Sequence, residues 1–199
     1  MPTLRDRLQA GSDDLLQLVK GRVHEVEGRG RTGFALYHAA RLAGPIFWIV
    51  LAHDRDRPMP GSLPGGVTER LHFIEARSET DLLWTVEEAL RARPVSLVIA
   101  APEKPISLTA GRRLQLAAEA GETTGLILIQ EGKGSNAAET RWKCDPLPSP
   151  LDSTRHRWIL NKNKRGTIGI YDVSWNGATA AVHLVPQAGE RHQPEGPPR

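Results

Sequence analysis

Cysteine is almost missing: Cys144 is the single thiol in 199 residues. An intrachain disulfide is therefore excluded, as is a zinc site built on several cysteines, and one thiol fits a reducing cytoplasm. No apolar run approaches the roughly 20 residues that span a bilayer. Residues 1–20 carry charges throughout and lack an apolar h-region, so no secretory leader is expected. The seven histidines keep no metal-ligand spacing with carboxylates, which leaves no metal site. An excess of one charge sign is missing too. The 26 Lys and Arg face 23 Asp and Glu, for a net charge of +3, too balanced to mark a nucleic-acid binder by itself. No internal repeat is seen. What is present, 39% hydrophobic and 25% charged residues, is the composition of one soluble globular domain able to bury its own core.

The order of patterns predicts an α/β fold. Leu4, Leu8, Leu15, Leu16 and Val19 fall at helical spacings interrupted by Gly11-Ser12, giving an N-terminal helical segment over residues 1–21. Arg22–Glu27 alternates as a short strand, and a helix is expected over Phe34–Leu42. Ile46–Leu51, Val95–Ala100 and Gly125–Ile129 are continuous apolar runs, as in strands buried on both faces, and Leu71–Ile74 is a further short strand. Helices are expected over Thr80–Arg93 and from Leu108 or Thr109 to Ala120. This alternation implies a mostly parallel sheet flanked by helices. After Gln130 the pattern changes. Thr140–Cys144 reads as a short strand, and Arg155–Asn163, Gly169–Trp175 and Thr179–Val185 read as C-terminal antiparallel strands. Trp175-Asn176-Gly177 signals a hairpin turn. The domain thus spans 22–186, and the Pro- and Gly-rich stretch 187–199 is expected to be a disordered tail.

One turn has the spacing of a phosphate loop. Gly28-Arg29-Gly30-Arg31-Thr32-Gly33 lies between a strand and a helix, the context that G-x-x-x-x-G-K-[ST] requires. Its lysine position is Phe34 and its Ser/Thr position is Ala35. Phe cannot reach a γ-phosphate, and Ala cannot ligate magnesium. The backbone and Arg29 and Arg31 can still attract an anion; the plain alternative is a tight strand-to-helix turn. Ala100-Ala101 stands where a magnesium-holding Asp is expected, and His53 where a catalytic Glu is expected. No catalytic residue and no cofactor is assigned, ATP being the one ligand the turn would suit.

Other residues are candidates for contact with nucleic acid or protein. Arg155, Arg157, Lys162, Lys164 and Arg165, with Trp158 and His156 among them, form the densest basic patch. Salt-sensitive phosphate contact and a hairpin dressed in lysine for solubility are the two readings. Arg112 and Arg113 allow a partner contact or a solvated helix face. Trp84 is expected in the core, in register with Leu82, Leu83, Val86 and Leu90, and the core is also the leading reading for Trp142, Trp158 and Trp175.

Five segments stand out in order along the chain: His24-Glu25-Val26, Asp81-Leu82-Leu83-Trp84 with Glu87-Glu88-Ala89-Leu90, Leu108-Thr109 with Arg112–Ala120, Thr124-Gly125-Leu126, and Thr140-Arg141-Trp142. Over about residues 22–185 they resemble the ImuA proteins, RecA-like accessory factors of damage-induced bacterial mutagenesis, and distantly the SulA cell-division inhibitors. The resemblance implies a RecA-like, P-loop-type core and a role in translesion synthesis. The implied partners are an inactive Y-family polymerase subunit of the ImuB kind, RecA or its filament, and indirectly an error-prone replicative-type polymerase. DNA contact is a further option, and no membrane is involved. Gln130 matches in position the glutamine by which RecA couples nucleotide to DNA, and Asn161-Lys162-Asn163-Lys164 looks like the RecA segment that leaves the core near its DNA-facing side. With about twenty residues before the first strand, a RecA-style filament is not expected. The departure at Phe34-Ala35 points to a non-hydrolytic adaptor. A residual nucleotide sensor using Arg29, Arg31 and Gln130, a DNA-binding module on Arg155–Arg165, and a SulA-like inhibitor are the rival readings.

Overall fold

The apolar runs form the strands they predict, and period-two alternation sorts their side chains between two cores. In the computed structural model, which describes residues 16–59, 61, 63–148, 155–176 and 181–184, β1 is Val23–Glu27, β2 Ile46–Leu51 and β3 Leu71–Ala76. Strands β4 (Leu97–Ala100), β5 (Thr124–Leu128) and β6 (Thr140–Pro146) follow, then β7 (Arg155–Asn163), β8 (Gly169–Asn176) and β9 (Ala181–Leu184). Three helices are interspersed among the described residues: α1 (Arg31–Arg41), α2 (Glu79–Arg91) and α3 (Leu108–Gly121). Ile46, Trp48 and Val50 of β2 and Leu97 and Ile99 of β4 meet α1 on one face. Ile49, Leu51, Val98 and Ala100 meet α2 and α3 on the other.

The nine strands make one sheet in the order β3-β2-β4-β5-β1-β6-β7-β8-β9. Strands β1 to β6 pair with one another in parallel, and β7, β8 and β9 continue from β6 as an antiparallel meander. The mostly parallel sheet, flanking helices and C-terminal antiparallel strands are those expected. The chain leaves β1 through α1 toward β2, returns through β4 and β5 to β1's side, and passes on to β6. The carboxyl ends of β1 and β5 therefore flank the point where the winding reverses, where open α/β sheets build their clefts.

Helices α2 and α3 start where their caps dictate. Ser78 accepts from the Asp81 amide at 3.1 Å and Ser107 from the Ala110 amide at 3.2 Å, each satisfying one orphan donor of a first turn. The stripe Leu82, Val86 and Leu90 is fully buried, each side chain contributing roughly 1.5–3 kcal/mol.

Several expectations are corrected. Trp84 is 62% exposed rather than core, because it follows Leu82 by two residues and so lies on the opposite side of a helix with 3.6 residues per turn. Residues 16–19 are not helical, although Leu16 and Leu18 are buried in the α1-side core; the rest of the expected N-terminal helix, residues 1–15, lies outside the described residues. So do the turn after Asn176 and the tail 187–199. Helix α1 begins three residues earlier than Phe34, which places Gly33 inside its first turn. No helix among the described residues is long and apolar enough to cross a membrane.

Buried histidine makes the fold pH-sensitive. His24 Nε2 donates to Val19 O at 3.0 Å, and in the neutral ring Nδ1 accepts from Thr140 Oγ1 at 2.7 Å; burial lowers its pKa from about 6.5 to about 4. Burial also lowers His38, with the charges of His24 and Arg41 adding to it. The unfolded chain takes up these protons below pH 6.5 while the folded chain refuses them, so stability is full above that pH and is lost as the pH falls toward 4. The unfolding free energy from denaturant titration should fall between pH 6.5 and 5, its slope approaching about 1.4 kcal/mol per pH unit from His24 and steepened in the same direction by His38.

Candidate functional site

The cleft at the sheet's carboxyl edge is built on the glycine turn after β1. Gly28 has φ +91°, and a Cβ there would overlap the carbonyl oxygen of Cys144 in β6. A Cβ on Gly30 would come within 2.9 Å of His156 Nδ1 and 3.0 Å of the same carbonyl. The glycines thus let the turn press against β6 and β7. The turn's own donors are engaged there as well. Gly30 N donates to Cys144 O at 2.7 Å, and Arg29 N donates to the Asp145 carboxylate at 3.0 Å. A carboxylate of the chain itself holds an amide that a phosphate loop would offer to its ligand.

The two residues in the lysine and Ser/Thr positions point into the core. Phe34 and Ala35 are wholly buried. The Phe34 ring lies 4.9 Å from that of Trp158, 5.3 Å from Trp142 and 4.5 Å from His38, so it is the hub of an aromatic cluster. Outside, Gly28, Arg29, Arg31, Thr32, Asp56 and Glu131 line an open cleft of about 480 Å³. Arg31 donates to the Ile129 carbonyl at 3.3 Å, and Lys143 pairs with Glu131. With Asp56, Glu131 and Asp145 close by, the cleft has mixed charge. Gln130 is exposed just beyond β5, its carbonyl accepting from Lys133 N. His53, beyond β2, pairs with Glu103 at 2.7 Å, and β4 ends at Ala100 with Ala101 following. Cys144 is buried, and its thiol pKa is pushed up by that burial, the reverse of a nucleophile's environment.

Polar residues of β1, passed over in the sequence, organise the neighbouring loop. Glu25 accepts from the Ser135 amide at 2.8 Å and pairs with Arg141 at 2.9 Å. Glu27 accepts from the Gly132 amide at 2.8 Å and from Asn161 Nδ2 at 3.3 Å. Gln115 of α3 bonds both the amide and the carbonyl of Val23, and also the carbonyl of Ala137. Two acids on alternate positions of a central strand were the available signal, since a buried carboxylate must find donors.

The basic side chains of β7 and of the turn after it are mostly engaged by the chain itself, although Lys164 and Arg165 stay exposed. Arg157 makes a two-pronged pair with Asp172 at 2.7 and 2.8 Å, which holds the Asp172 carboxyl below its usual range. Lys162 donates to the carbonyls of Ser135 and Asn136 at 3.2 and 2.8 Å; burial, then Arg141 and Lys164, lower its pKa. Lys164 donates to Ala137 O at 2.6 Å, and Arg165 pairs with Glu139 at 2.7 Å. Arg155 is half-buried at the start of the strand. Trp158 is 1% exposed: it is the core residue that its leading reading made it, and its place among the contact candidates is corrected. The structure therefore brings Lys162 and Lys164 to the loop 135–137 and Arg165 to Glu139 beside it, rather than setting the run out as a stripe for phosphates.

No family model matches the chain. It is 35% identical over 121 residues to Protein ImuA of Caulobacter vibrioides strain NA1000 / CB15N, and equally to that of strain ATCC 19089 / CIP 103742 / CB 15, a match covering 55% of this chain and 48% of each relative. Over that stretch the chain is similar to ImuA. It spans about half the length of the curated relatives it matches.

The most specific segments of the ImuA resemblance form two packed helices. Asp81–Leu90 lies in α2 and Arg112–Ala120 in α3. Arg113 pairs with the buried Glu87 across them at 2.6 Å, and Glu87 also holds Arg91. Arg112, one residue away, points to solvent, as do Trp84 and Leu116. Of the two adjacent arginines, one is therefore spent on helix packing and the other is displayed.

Proposed function

We propose that this chain is a non-hydrolytic RecA-like adaptor in damage-induced mutagenesis, which holds an ImuB-like polymerase subunit, RecA, or both during error-prone translesion synthesis. The relationship to ImuA supports the process. The observation that carries the mode of action is the glycine turn: its amides bond Cys144 and Asp145, and the residue in the lysine position is the centre of an aromatic core. Binding surfaces, and not a nucleotide cycle, then do the work.

Co-expression with an ImuB-like subunit should give a complex that survives size-exclusion chromatography at micromolar concentration. Calorimetry with Mg-ATP on the same sample should show no heat of binding and no phosphate release. A folded sample that forms no complex with the subunit or RecA, or one that turns over ATP, would overturn the reading.

A further inference from the structure

We propose that the outer face of α3, from Leu108 to Leu116, is the docking site for an acidic amphipathic segment of a partner protein. The inference rests on the adaptor reading and names the face that does the holding. Leu108 is 46% exposed and Leu116 67%. With Arg112 midway, they stand on one helical row, i, i+4 and i+8, the leucines about 12 Å apart at ~1.5 Å per residue. The inward face of α3 is already complete, with Leu114, Ala117 and Ala118 buried against α2 and the sheet. The two leucines therefore contribute little to that core.

The row forms one wall of a cleft of about 510 Å³, whose other side is Asn136, Ala137 and Lys164, with Arg22 and Glu119 at its end. Three cations face it and one carboxylate, and that carboxylate is paired with Arg22 at 3.0 Å. Arg112 has no hydrogen bond or ion pair among the described residues. Two aliphatic anchors two turns apart, an unpaired guanidinium between them and a positive rim select a segment with apolar residues at matching spacing and carboxylates beside them. A nucleic acid fits less well. The wall facing the solvent is aliphatic and offers no ring for stacking, and the Lys164 ammonium is bonded to Ala137 O.

The test is selection of displayed random peptides of roughly 16 residues, about four turns, on the intact protein, followed by anisotropy titration of the enriched peptides. Enriched sequences should pair Leu, Ile or Met two turns apart with Asp or Glu. Their affinity should fall about tenfold or more in Arg112→Glu/Leu116→Glu, fall with salt, and recover in part when the peptide's acids are changed to Lys. Both positions are exposed, so the variant should keep the parent's melting temperature. Met59→Ser, exposed in the loop between β2 and β3, should change nothing. Failure to enrich, enrichment of basic peptides, or unchanged affinity in the double variant would overturn the proposal. So would a dimer that the double variant splits, which would make a second copy the occupant, or loss of single-stranded DNA binding in Arg112→Glu alone. If the ImuB-like complex forms equally well with the double variant, the adaptor reading stands and this docking site falls.

Discussion

Completing the phosphate-loop signature by Phe34→Lys and Ala35→Ser is expected to unfold the protein and not to create an ATPase. The Phe34 ring is wholly buried among Trp142, Trp158 and His38. Removing a buried Phe costs about 3–5 kcal/mol through lost transfer energy and the cavity left behind. Placing an ammonium there adds the desolvation of a charge with no carboxylate partner, several kcal/mol more. Domains of this size are stable by about 5–15 kcal/mol, so the sum consumes most or all of the margin. Urea titration should show a midpoint moved far down or no cooperative transition, and phosphate release should stay at background. A stable variant that hydrolyses ATP would mean that the loop can rearrange around a lysine, and that the aromatic hub is dispensable.

The second large effect is expected from Arg141→Met. Its guanidinium binds Glu25, whose side chain is only 3% exposed, and the Ser135 carbonyl at 2.9 Å. The variant leaves a carboxylate buried and half-satisfied, at a cost of about 3–5 kcal/mol. Adding Glu25→Gln removes the stranded charge and should recover a large part of that loss, a non-additivity that identifies the pair as the cause. Hydrogen exchange should localise the damage. The amides of Gly132 and Ser135, which donate to Glu27 and Glu25, should lose protection before those of β2 and β4. Equal loss across the sheet would argue that Arg141 supports the fold globally and not the loop.

Much of the fold is legible because burial on both faces leaves an unmistakable pattern. Ile46–Leu51 and Gly125–Ile129 have little choice but to be interior strands, and the Leu82, Val86 and Leu90 row can only be one side of a helix. Trp84 misled because its chemistry suggests a core while its spacing, two residues from Leu82, forbids it; the spacing decides. Strand β1 is placed correctly as an alternating strand, but the alternation assigns its acids no partner. What makes Glu25 and Glu27 interior is the arrival of residues 132–141 more than 100 positions later, a contact no local pattern announces. The same distance hid the meaning of the glycine turn. Its spacing suggested a ligand, while what it accommodates is the backbone carbonyl of Cys144 and the carboxylate of Asp145. Basic residues of β7 looked like a patch for the corresponding reason, since their acceptors are carbonyls and acids of a remote loop and of the next strand.

Asp145 has a consequence for how the protein meets changing conditions in its surroundings. A protein that binds a nucleotide draws part of its stability from it by mass action, about 2.7 kcal/mol at one hundred times the dissociation constant, and loses that part when the ligand is depleted. Here the anion that meets the turn is tethered by the chain itself, on β6, and its concentration at the Arg29 amide never changes. On the adaptor reading, the folded fraction is then set without reference to the energy state of the surroundings. The turn keeps its anion in place whether or not a nucleotide is present.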